Sequence, residues 1–434
     1  MKSLPIGRMA AVILSCFLSG SASGAVFSTL SSFNNCLKTS STTCTLASGT
    51  YDVNTGSDEL VVTGSDELVV TGSNLIIEGD GYSYPTIRRN SSTVKSLLKL
   101  SGTATAITIQ RLRFDGNNTV FNATTHAGLK QFLLSSGTHD FRDVFLSAGY
   151  AVTLISNYFV NSSRYAVYVL GSGSGPTISN NWFTLGLDAA IRTYVPGGEF
   201  ESTPFITGMN INNNNFYGYR GAGIVLDHVS NSQITNNGLT WCHSGDVWGG
   251  DVDQSLQGGG QIYLSAHSRG NQITGNGMDG RKWQGYQSPN NASNSLKLNN
   301  YGVELDRDHP VLNTNLFNNT ATSHSVSGMW IGGSVNGIVL SGNNLSVNSV
   351  QGIILEGLTN QNGVKIKGGV IQNNGGGEWP NGSNWPKWYG VFLNQLVQYG
   401  VCIQTDVSIT YNQSGSIYVQ NSGNPAYQLV ADCN

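Results

Sequence analysis

Charged side chains are scarce in this chain, and their scarcity excludes several classes of protein. Lys and Arg number 22 and Asp and Glu 25, so 11% of the 434 residues are charged, whereas about a quarter is usual in a globular protein. A protein built from charged amphipathic helices is therefore excluded. The basic residues are scattered and the formal net charge is −3, which gives no attraction to nucleic acid or to an anionic membrane. We expect no nucleic-acid partner.

A membrane-spanning run is lacking at the N-terminus. Residues 9–20 read MAAVILSCFLSG, which is shorter than the roughly 20 apolar residues of a spanning helix. Two basic residues precede this run and small residues ending at Ala25 follow it, which is the order found in an export signal. The surroundings of Cys16 also match a lipoprotein signal weakly. We expect residues 1–25 to be a signal peptide and the mature protein to be secreted, either extracellular or periplasmic.

Cysteine is sparse, and five cysteines remain after the predicted cleavage. Cys36 and Cys44 flank a short loop, and Cys402 and Cys433 lie near the other end of the chain. Both pairs are placed to form disulfides in an oxidising compartment. Cys242 has no obvious mate, so it is either a buried thiol or evidence of a different pairing.

Helical periodicity is absent almost everywhere, and a strand phrase recurs instead. Its first half is Gly followed by alternating apolar and polar residues, as in GIVLD at 223, QIYLS at 261, GVELD at 302, GMWIG at 328, GIILE at 352 and GVFLN at 390. Its second half is a short stretch of apolar and polar residues that contains a pair of asparagines, as in ISNNWF at 178, INNNNF at 211, ITNNGL at 234 and LSGNNL at 340. Alternation interrupted by Gly and Asn predicts short strands joined by tight turns.

The spacing of this phrase predicts a solenoid. The copies at 328 and 352 are 24 residues apart, and a coil of two or three strands that repeats so tightly favours a parallel β-helix over a propeller or sandwich. The chain resembles the right-handed parallel β-helix superfamily of pectate lyases and polygalacturonases. The resemblance implies an all-β, right-handed, single-stranded parallel β-helix over residues 26–434, with asparagines stacked in a ladder. An Asn-rich all-β protein of another type is the alternative.

The N-terminal segment contributes two further features. FSTLSSFNNCLKT at 27–39 is the one segment with a helical pattern, and we expect a short helix that caps the open end of the solenoid core. CTLASGTYDV at 44–53 resembles the first strand of such folds. The octapeptide TGSDELVV at 55–62 is repeated letter for letter at 63–70, and we assign it no function.

Strand alternation predicts which side chains face outward. In GVELD, burial of Val303 and Leu305 turns Glu304 and Asp306 to the outside. The same register gives one outer sheet face with these stacked pairs: Arg192 and Tyr194, Val225 and Asp227, Tyr263 and Ser265, Glu304 and Asp306, Trp330 and Gly332, Ile354 and Glu356, Phe392 and Asn394. Exposed aromatics beside carboxylates suit sugar rings. A loop that folds over these aromatics is the alternative.

Three inserts are predicted to wall this face. They cover about 240–260, 278–300 and 375–390, each directly before an outward-facing strand, and they hold most of the tryptophans of the chain. Long loops with such content are usually functional. We expect them to turn the flat face into a groove.

Carboxylates in that groove predict hydrolysis of a glycosidic bond, because one protonated and one ionised carboxyl group are what this reaction needs. The catalytic candidates are, in order, Glu304, Asp306, Asp227, Asp308 and Glu356. The substrate-binding candidates are Tyr263, Trp330, Arg192, Tyr194, Phe392, Asn394, Trp248, Trp283, Trp388, His228, His309 and Arg307. Asp227 and Asp308 also suit turn caps, and Arg307 suits a surface ion pair.

Two rival functions remain open. A polysaccharide lyase or uronate epimerase needs basic side chains, often with Ca²⁺. The basic candidates are Arg192, Arg281, Lys282 and Arg307. Asp246, Asp251 and Asp253 resemble a loose calcium-binding loop. A non-catalytic glycan-binding surface protein is the other. For hydrolysis no cofactor or metal is expected.

The family motifs do not choose between these functions. None of the polygalacturonase motifs is intact, and VLDH at 225–228 matches only part of a pectate lyase segment. The resemblance therefore implies a polysaccharide or oligosaccharide substrate but no named activity. The sugar, the linkage, the stereochemical outcome and the choice between monomer and homotrimer stay open.

Overall fold

The computed structural model describes most of the chain in seventeen segments. They are residues 25–54, 68–81, 83–100, 104–121, 141–198, 200–242, 260–265, 267–280, 294–298, 311–324, 327–332, 335–348, 351–356, 363–375, 388–393, 400–420 and 427–433. The predicted signal peptide up to residue 24 and the first copy of the repeated octapeptide therefore lie outside the described residues.

Three long parallel sheets form the molecule, and the chain visits them in turn. Within the described residues the first sheet has 14 strands, in this order: Ala25–Phe27, Thr43–Leu46, Leu75–Gly79, Ile107–Gln110, Val152–Ile155, Thr177–Ser179, Asn210–Asn212, Gln233–Thr235, Gln272–Thr274, Asn315–Phe317, Ile338–Ser341, Val364–Lys367, Val401–Gln404 and Tyr427–Val430.

The second and third sheets each have 12 described strands. Those of the second are Thr50–Val53, Thr86–Arg89, Arg113–Asp115, Tyr158–Val160, Trp182–Thr184, Asn215–Tyr217, Gly238–Thr240, Gly277–Asp279, Thr320–Thr322, Asn344–Ser346, Val370–Gln372 and Ser408–Thr410. Those of the third are Leu68–Val70, Ser96–Leu100, Arg142–Ser147, Tyr165–Leu170, Ile191–Tyr194, Ile224–Asp227, Ile262–Ser265, Asn294–Leu298, Ser327–Gly332, Gln351–Glu356, Tyr389–Leu393 and Gly415–Val419.

Smaller elements complete the described structure. One small sheet joins Gly173–Ser174, Ile206–Thr207 and Val229–Ser230, and another joins Val311–Leu312 and Val335–Asn336. A 3₁₀ helix covers Asn118–Phe121, and one α-helix covers Leu30–Cys36. Every sheet pairing is parallel between successive coils, so the predicted parallel β-helix is confirmed.

The corner between the first and second sheets is built from paired residues. In the coil that joins Thr177–Ser179 to Trp182–Thr184, Asn180 takes a left-handed backbone with φ of 55°. The next residue, Asn181, turns its amide into the corner, where its Nδ2 donates to Asn214 Oδ1 at 3.0 Å. Asn and Gly reach the left-handed region most cheaply, which explains why NN and GN recur in the sequence.

The predicted asparagine ladder is therefore confirmed. Seven amides bond in series along the axis at 2.9 to 3.1 Å, and they belong to Asn157, Asn181, Asn214, Asn237, Asn276, Asn319 and Asn343. A second ladder at the corner between the second and third sheets runs through His324, Asn348, Asn374 and Asn412. Buried amides satisfied in this way fix the register of successive coils.

One hydrophobic core runs through the middle of the coils. Alternate residues of all three sheets point inward and form this core. Among them, the rings of Phe114, Phe159, Phe183 and Phe216 stack in a column, with neighbouring centroids 4.7 to 5.1 Å apart. The column repeats at about the strand spacing of 4.8 Å. Packing of identical side chains on successive coils therefore stabilises the solenoid along its length.

The N-terminal helix and both predicted disulfides are present. Leu30 and Phe33 of the helix are buried in the core cluster, and Thr29 caps the helix by accepting from Ser32 N. A helix at this place is confirmed, whereas its role as a cap of the solenoid stays a prediction. Disulfides join Cys36 to Cys44 and Cys402 to Cys433. Among the described residues, no helix has the length and apolarity needed to cross a bilayer.

Cys242 is a buried free thiol, which is one of the two predicted outcomes. Burial raises the pKa of this thiol to about 12, so it stays protonated and unreactive.

Candidate functional site

The outer face of the third sheet carries one continuous row of side-chain positions, which we call the outer row. Strand pairing places in register Lys99, Phe145, Tyr168, Arg192, Val225, Tyr263, Lys297, Trp330, Ile354, Phe392 and Tyr418. The register predicted from the strand phrase is confirmed for six of these residues. Asp227 pairs with Ser265, and Gly332 pairs with Glu356, two positions further on.

One position in the outer row differs from the prediction. The strand between Ile262–Ser265 and Ser327–Gly332 is Asn294–Leu298, so Lys297, not Glu304, stands between Tyr263 and Trp330. The prediction that GVELD forms this strand is wrong. SLKL at 295–298 and VELD at 303–306 have the same apolar alternation, so periodicity alone does not decide which of them is the strand. SLKL falls inside the insert predicted at about 278–300.

The exposure predicted for the outer row is also wrong at several positions. Val225, Ile354 and Phe392 are completely buried, and Tyr263 is 8% exposed. Two apolar clusters form on this face, one around Tyr165 and Val225 and one around Ile354 and Phe392. Alternation fixes the side of a sheet on which a residue lies, but not whether other parts of the chain cover that side.

An ion pair lies at the middle of this face. Arg192 Nη2 contacts Asp227 Oδ2, and the two side chains are only 11% and 14% exposed. The Asp227 backbone is held by Thr193, whose hydroxyl accepts from Asp227 N at 2.8 Å and donates to Asp227 O at 3.0 Å. The structure thus brings together two predicted site residues, a catalytic and a binding candidate, in one fixed and nearly enclosed arrangement.

A second ion pair lies close enough to the first for the charge of Asp188 to act on Arg192, and it was missed by the sequence analysis. Arg164 Nε donates to Asp188 Oδ2 at 3.1 Å and to Tyr165 Oη at 3.1 Å, and all three side chains are at most 1% exposed. Burial, followed by the charge of Asp188, raises the pKa of Tyr165. Asp188 is fully buried and paired, so it supports the face and is not placed to contact a ligand.

Tyrosines surround the Arg192–Asp227 pair. Tyr168 precedes Arg192 in the outer row, and burial raises the pKa of its phenol. Tyr194, at the end of the strand that carries Arg192, is 45% exposed. The Tyr168 phenol therefore stays protonated as a donor, whereas Tyr194 has a ring face open to solvent. The alternation in RYAVYVL at 164–170 is the signal that could have found Tyr168.

The electrostatics of Arg192 favour the charged form. Burial works against it, but the negative charges of Asp227 and Asp188 favour the charged form, and the pKa of Arg192 is raised overall. Its Nη1 is buried without a hydrogen-bond partner among the described residues. A donor of this kind on a buried cation is costly unless a ligand satisfies it.

His228 is structural in its contacts. It is buried, its Nε2 lies 2.8 Å from Thr203 O, and its ring stacks on Phe205 with centroids 3.9 Å apart. The ring of His267 meets it edge-on at 6.0 Å. Its Nδ1 is buried without a hydrogen-bond partner among the described residues, and a substrate contact for His228 stays a prediction.

The far half of the face is aromatic. Trp330 is half-buried and packs with Tyr418 against Ile354 and Phe392. Trp388 is half-buried directly before the strand Tyr389–Leu393. Roles in sugar binding for these residues stay predictions.

Several predicted site residues lie outside the described residues. They are Glu304, Asp306, Arg307, Asp308, His309, Asn394, Trp248 and Trp283, together with Arg281, Lys282, Asp246, Asp251 and Asp253 of the rival readings. Glu356 ends a described strand, but its side chain is not described. In the part of the chain that is described, no three His, Cys, Asp or Glu side chains come together as metal ligands.

The predicted inserts share one connection of the coil. The segments 243–259, 281–293 and 376–387, which lie outside the described residues, each follow a second-sheet strand and precede a third-sheet strand. In all three coils the described chain therefore resumes at or just before a third-sheet strand.

These features define a protein with the parallel β-helix fold and a partly enclosed polar site on one sheet. Solved structures share this fold. The A-module of the mannuronan C-5 epimerase AlgE6 from Azotobacter vinelandii is 13% identical, with a TM-score of 0.52 over 89% of this chain and 84% of that chain. The Dettilon tailspike protein is 12% identical, with a TM-score of 0.52 over 87% of this chain and 62% of that chain.

A third similar structure, the catalytic domain of a GH87 α-1,3-glucanase in complex with tetrasaccharides, is 13% identical with a TM-score of 0.47 over 89% of this chain and 63% of that chain. No protein-family model matches the chain, and no curated protein matches it in sequence. At such low identity the similarity establishes the fold alone.

Proposed function

We propose that the protein acts on a polysaccharide bound along the outer row of the third sheet, and that the reacting sugar is a uronate held at Arg192 and Asp227. The observation that carries this proposal is the buried Arg192 Nη1, which has no hydrogen-bond partner among the described residues beside an ion-paired carboxylate. A uronate carboxylate supplies the acceptor that this donor lacks.

The charge of the outer row agrees with an acidic sugar. Lys99, Arg192 and Lys297 occupy positions in this row, and Arg142 packs over the rings of Phe145 and Tyr168 at 4.2 and 5.2 Å. The carboxylates predicted for the groove would make this face acidic, and an acidic face repels a polyanion. With Lys297 in the position assigned to Glu304, that objection loses its main support.

The chemistry follows from the groups at hand. The proton on C5 of a uronate is acidified by the neighbouring carboxylate once a cation neutralises it, which is the role we assign to Arg192. Asp227 accepts the C5 proton. The electron pair then either forms a C4–C5 double bond as the C4–O4 bond breaks, with a proton passing to O4, or it takes a proton back on the opposite face of C5. Tyr168 is the proposed proton donor.

The comparisons agree with this class of substrate without deciding the reaction. One structure with the same fold, matched over most of both chains, bears the name mannuronan C-5 epimerase. Elimination and epimerisation share the first proton transfer, so the same residues serve both.

The decisive experiment is an assay of the purified protein on a panel of acidic and neutral polysaccharides with three readouts. New reducing ends with ultraviolet absorbance indicate elimination, and inversion at C5 detected by NMR without new ends indicates epimerisation. Reducing ends without absorbance indicate hydrolysis. The proposal expects one of the first two outcomes on a uronate polymer, and hydrolysis of a neutral glycan would overturn it.

A matched pair of variants localises the reaction. Asp227→Asn keeps the shape but removes the base, so we expect a fall in kcat of about 10²-fold or more. Asp52→Asn is the control, because Asp52 forms a similar pair with Arg88 at 2.6 Å on the second sheet. Equal activity of the two variants would remove Asp227 from the reaction.

Hydrolysis is the second candidate, and the cluster of acids in VELDRD at 303–308 favours it. Two carboxyl groups flanking one glycosidic bond are required, and Asp227 is the only predicted catalytic acid whose side chain lies among the described residues. Glu304→Gln and Asp306→Asn should abolish hydrolysis if this candidate is right. Binding without turnover in all assays would instead indicate a non-catalytic glycan-binding protein.

A further inference from the structure

The second sheet carries an exposed tryptophan that the proposed reaction does not use. Trp182 is 55% exposed and lies in register with Tyr158 on one neighbouring strand and Asn215 on the other. Its position is on the outer face of a sheet different from the one that carries Arg192 and Asp227. An exposed indole leaves a large apolar surface in water, and the ring of Tyr158 on the neighbouring strand adds to it, so the two together are a candidate interaction surface.

The backbone beneath Trp182 is held on both sides. The preceding residue, Asn181, is a member of the amide ladder, with bonds to Asn157 and Asn214 at 3.1 and 3.0 Å. The following residue, Phe183, stacks in the core column between two rings at 4.7 Å each. The indole is therefore mounted on a rigid support, which lowers the entropy lost when a ligand binds.

Tyr158 extends the aromatic surface in an ordered way. The Arg113 guanidinium lies 5.4 Å from its ring centroid, and Thr184 Oγ1 lies 3.4 Å from its hydroxyl. Arg113 Nε is buried without a hydrogen-bond partner among the described residues. Two aromatic rings and an unsatisfied donor thus lie on three adjacent strands.

Beyond Trp182, the outward positions in register with it on the second sheet carry uncharged polar side chains or glycine. Asn215 is exposed, and the next two strands carry glycine at this position. A Cβ on Gly277 would meet nothing within 4 Å, and one on Gly238 would meet only Asn215 Oδ1. Thr320 and Asn344 then continue the row.

This arrangement fits a sugar chain better than a protein. A protein interface needs a broader apolar centre, whereas here one aromatic pair stands at the end of a neutral row of amide and hydroxyl groups. A sugar ring stacks its C–H face on an indole and bonds its hydroxyls to such groups. Successive strands repeat at about 4.8 Å, close to the length of one sugar residue in a linear chain.

We propose that Trp182, Tyr158 and Asn215 form a second, non-catalytic site that binds a neutral glycan along the second sheet. It anchors the protein to uncharged polysaccharide while the third-sheet face acts on its own substrate. The second site does not depend on the activity proposed for Arg192 and Asp227.

The test is native gel electrophoresis of the full chain in gels that contain a neutral β-glucan, a neutral α-glucan, a galactomannan or alginate. We expect retardation by at least one neutral polymer, and a loss of affinity of about tenfold or more in Trp182→Ala. Trp182→Phe should keep part of the retardation. Tyr411→Asn is the matched control, because Tyr411 is 82% exposed but lies at a corner, and it should behave as the unaltered protein.

Three results would overturn the proposal. One is unchanged retardation in Trp182→Ala, and another is retardation by alginate alone. The third is self-association in sedimentation velocity that Trp182→Ala abolishes, because it would make this surface a contact between copies of the chain. Asp227→Asn should retain full retardation by the neutral polymer, which separates this site from the catalytic proposal.

Discussion

The second and third sheets have the same backbone structure, but their outward-facing side chains differ in exposure to solvent. On the third sheet, outward positions such as Val225 and Phe392 are completely buried, and charged residues there are paired in near enclosure. On the second sheet, Trp182 is 55% exposed, and the ion pair between Arg88 and Asp52 is 40% and 34% exposed. The outer face of the third sheet is therefore a covered face, and that of the second sheet is an open one.

Burial changes the energetic weight of an ion pair. An exposed pair contributes about 0–1 kcal/mol, whereas breaking a buried pair leaves one charge without a partner in a medium that solvates it poorly. The covered face is therefore where substitutions should be most costly, and the open face is where binding can be altered without loss of the fold.

The largest expected effect is on the buried ion pair of Arg164 and Asp188. Arg164→Met removes the cation that pairs with the buried Asp188, so we expect the free energy of unfolding to fall by about 3–5 kcal/mol. Chemical denaturation followed by circular dichroism measures it. Arg88→Met on the open face is the control and should cost less than about 1 kcal/mol. Similar losses in both variants would mean that the two faces do not differ in this respect.

The next effect concerns apolar side chains in outward positions. Ile354 is 0% exposed on the third sheet, and Ile76 is 38% exposed on the first. Ile354→Ala should lower the free energy of unfolding by about 2–5 kcal/mol, while Ile76→Ala should change it by no more than about 0.5 kcal/mol. If Ile354→Ala has the smaller effect, the outer row is not a packed surface.

A pH dependence is expected from Asp143, which lies at the start of a third-sheet strand. Burial raises the pKa of Asp143 from 3.8 to about 7, against the opposing charge of Arg89. Between these two pH values the folded protein retains a proton that the unfolded chain has lost, so this group makes stability fall as the pH rises. Asp143→Asn cannot ionise and should lose that slope. Thermal unfolding on both sides of the window tests it, and an unchanged slope would contradict it.

The smallest expected effect is on the open face itself. Trp182→Ala removes a largely exposed ring, so we expect the free energy of unfolding to change by no more than about 0.5 kcal/mol. The melting temperature of the same protein sample used for the glycan gels provides the measurement. A large loss of stability would show that the indole is part of the packing.

The sequence predicted the parts of the fold that repeat. The coil, the pairing of Cys36 with Cys44 and the outward register of Arg192 and Tyr263 follow from short-range patterns, and the resemblance to the parallel β-helix superfamily implies the asparagine ladder. Such patterns consist of the two-residue alternation of a strand and of the residues that favour its turns, and both are local properties of the sequence.

The remaining features depend on contacts between distant parts of the chain. GVELD and NSLKL alternate alike, so only pairing with the neighbouring coils selects Asn294–Leu298 as the strand. The pair of Arg164 and Asp188 joins equivalent corners of two successive coils, 24 residues apart in the chain. The burial of Phe392 likewise depends on what covers the sheet, which alternation does not specify.

The second amide ladder has a consequence for changing this protein by design. Asn374 bonds to Asn348 and Asn412 at 3.0 and 2.9 Å, yet the connection 376–387 follows it by only one residue. The residues that hold the corner together therefore precede the connection in the chain, and a change in its length does not alter them. Foreign loops grafted there should leave the coil stacking intact, so substrate preference could be re-engineered by loop exchange on a constant scaffold.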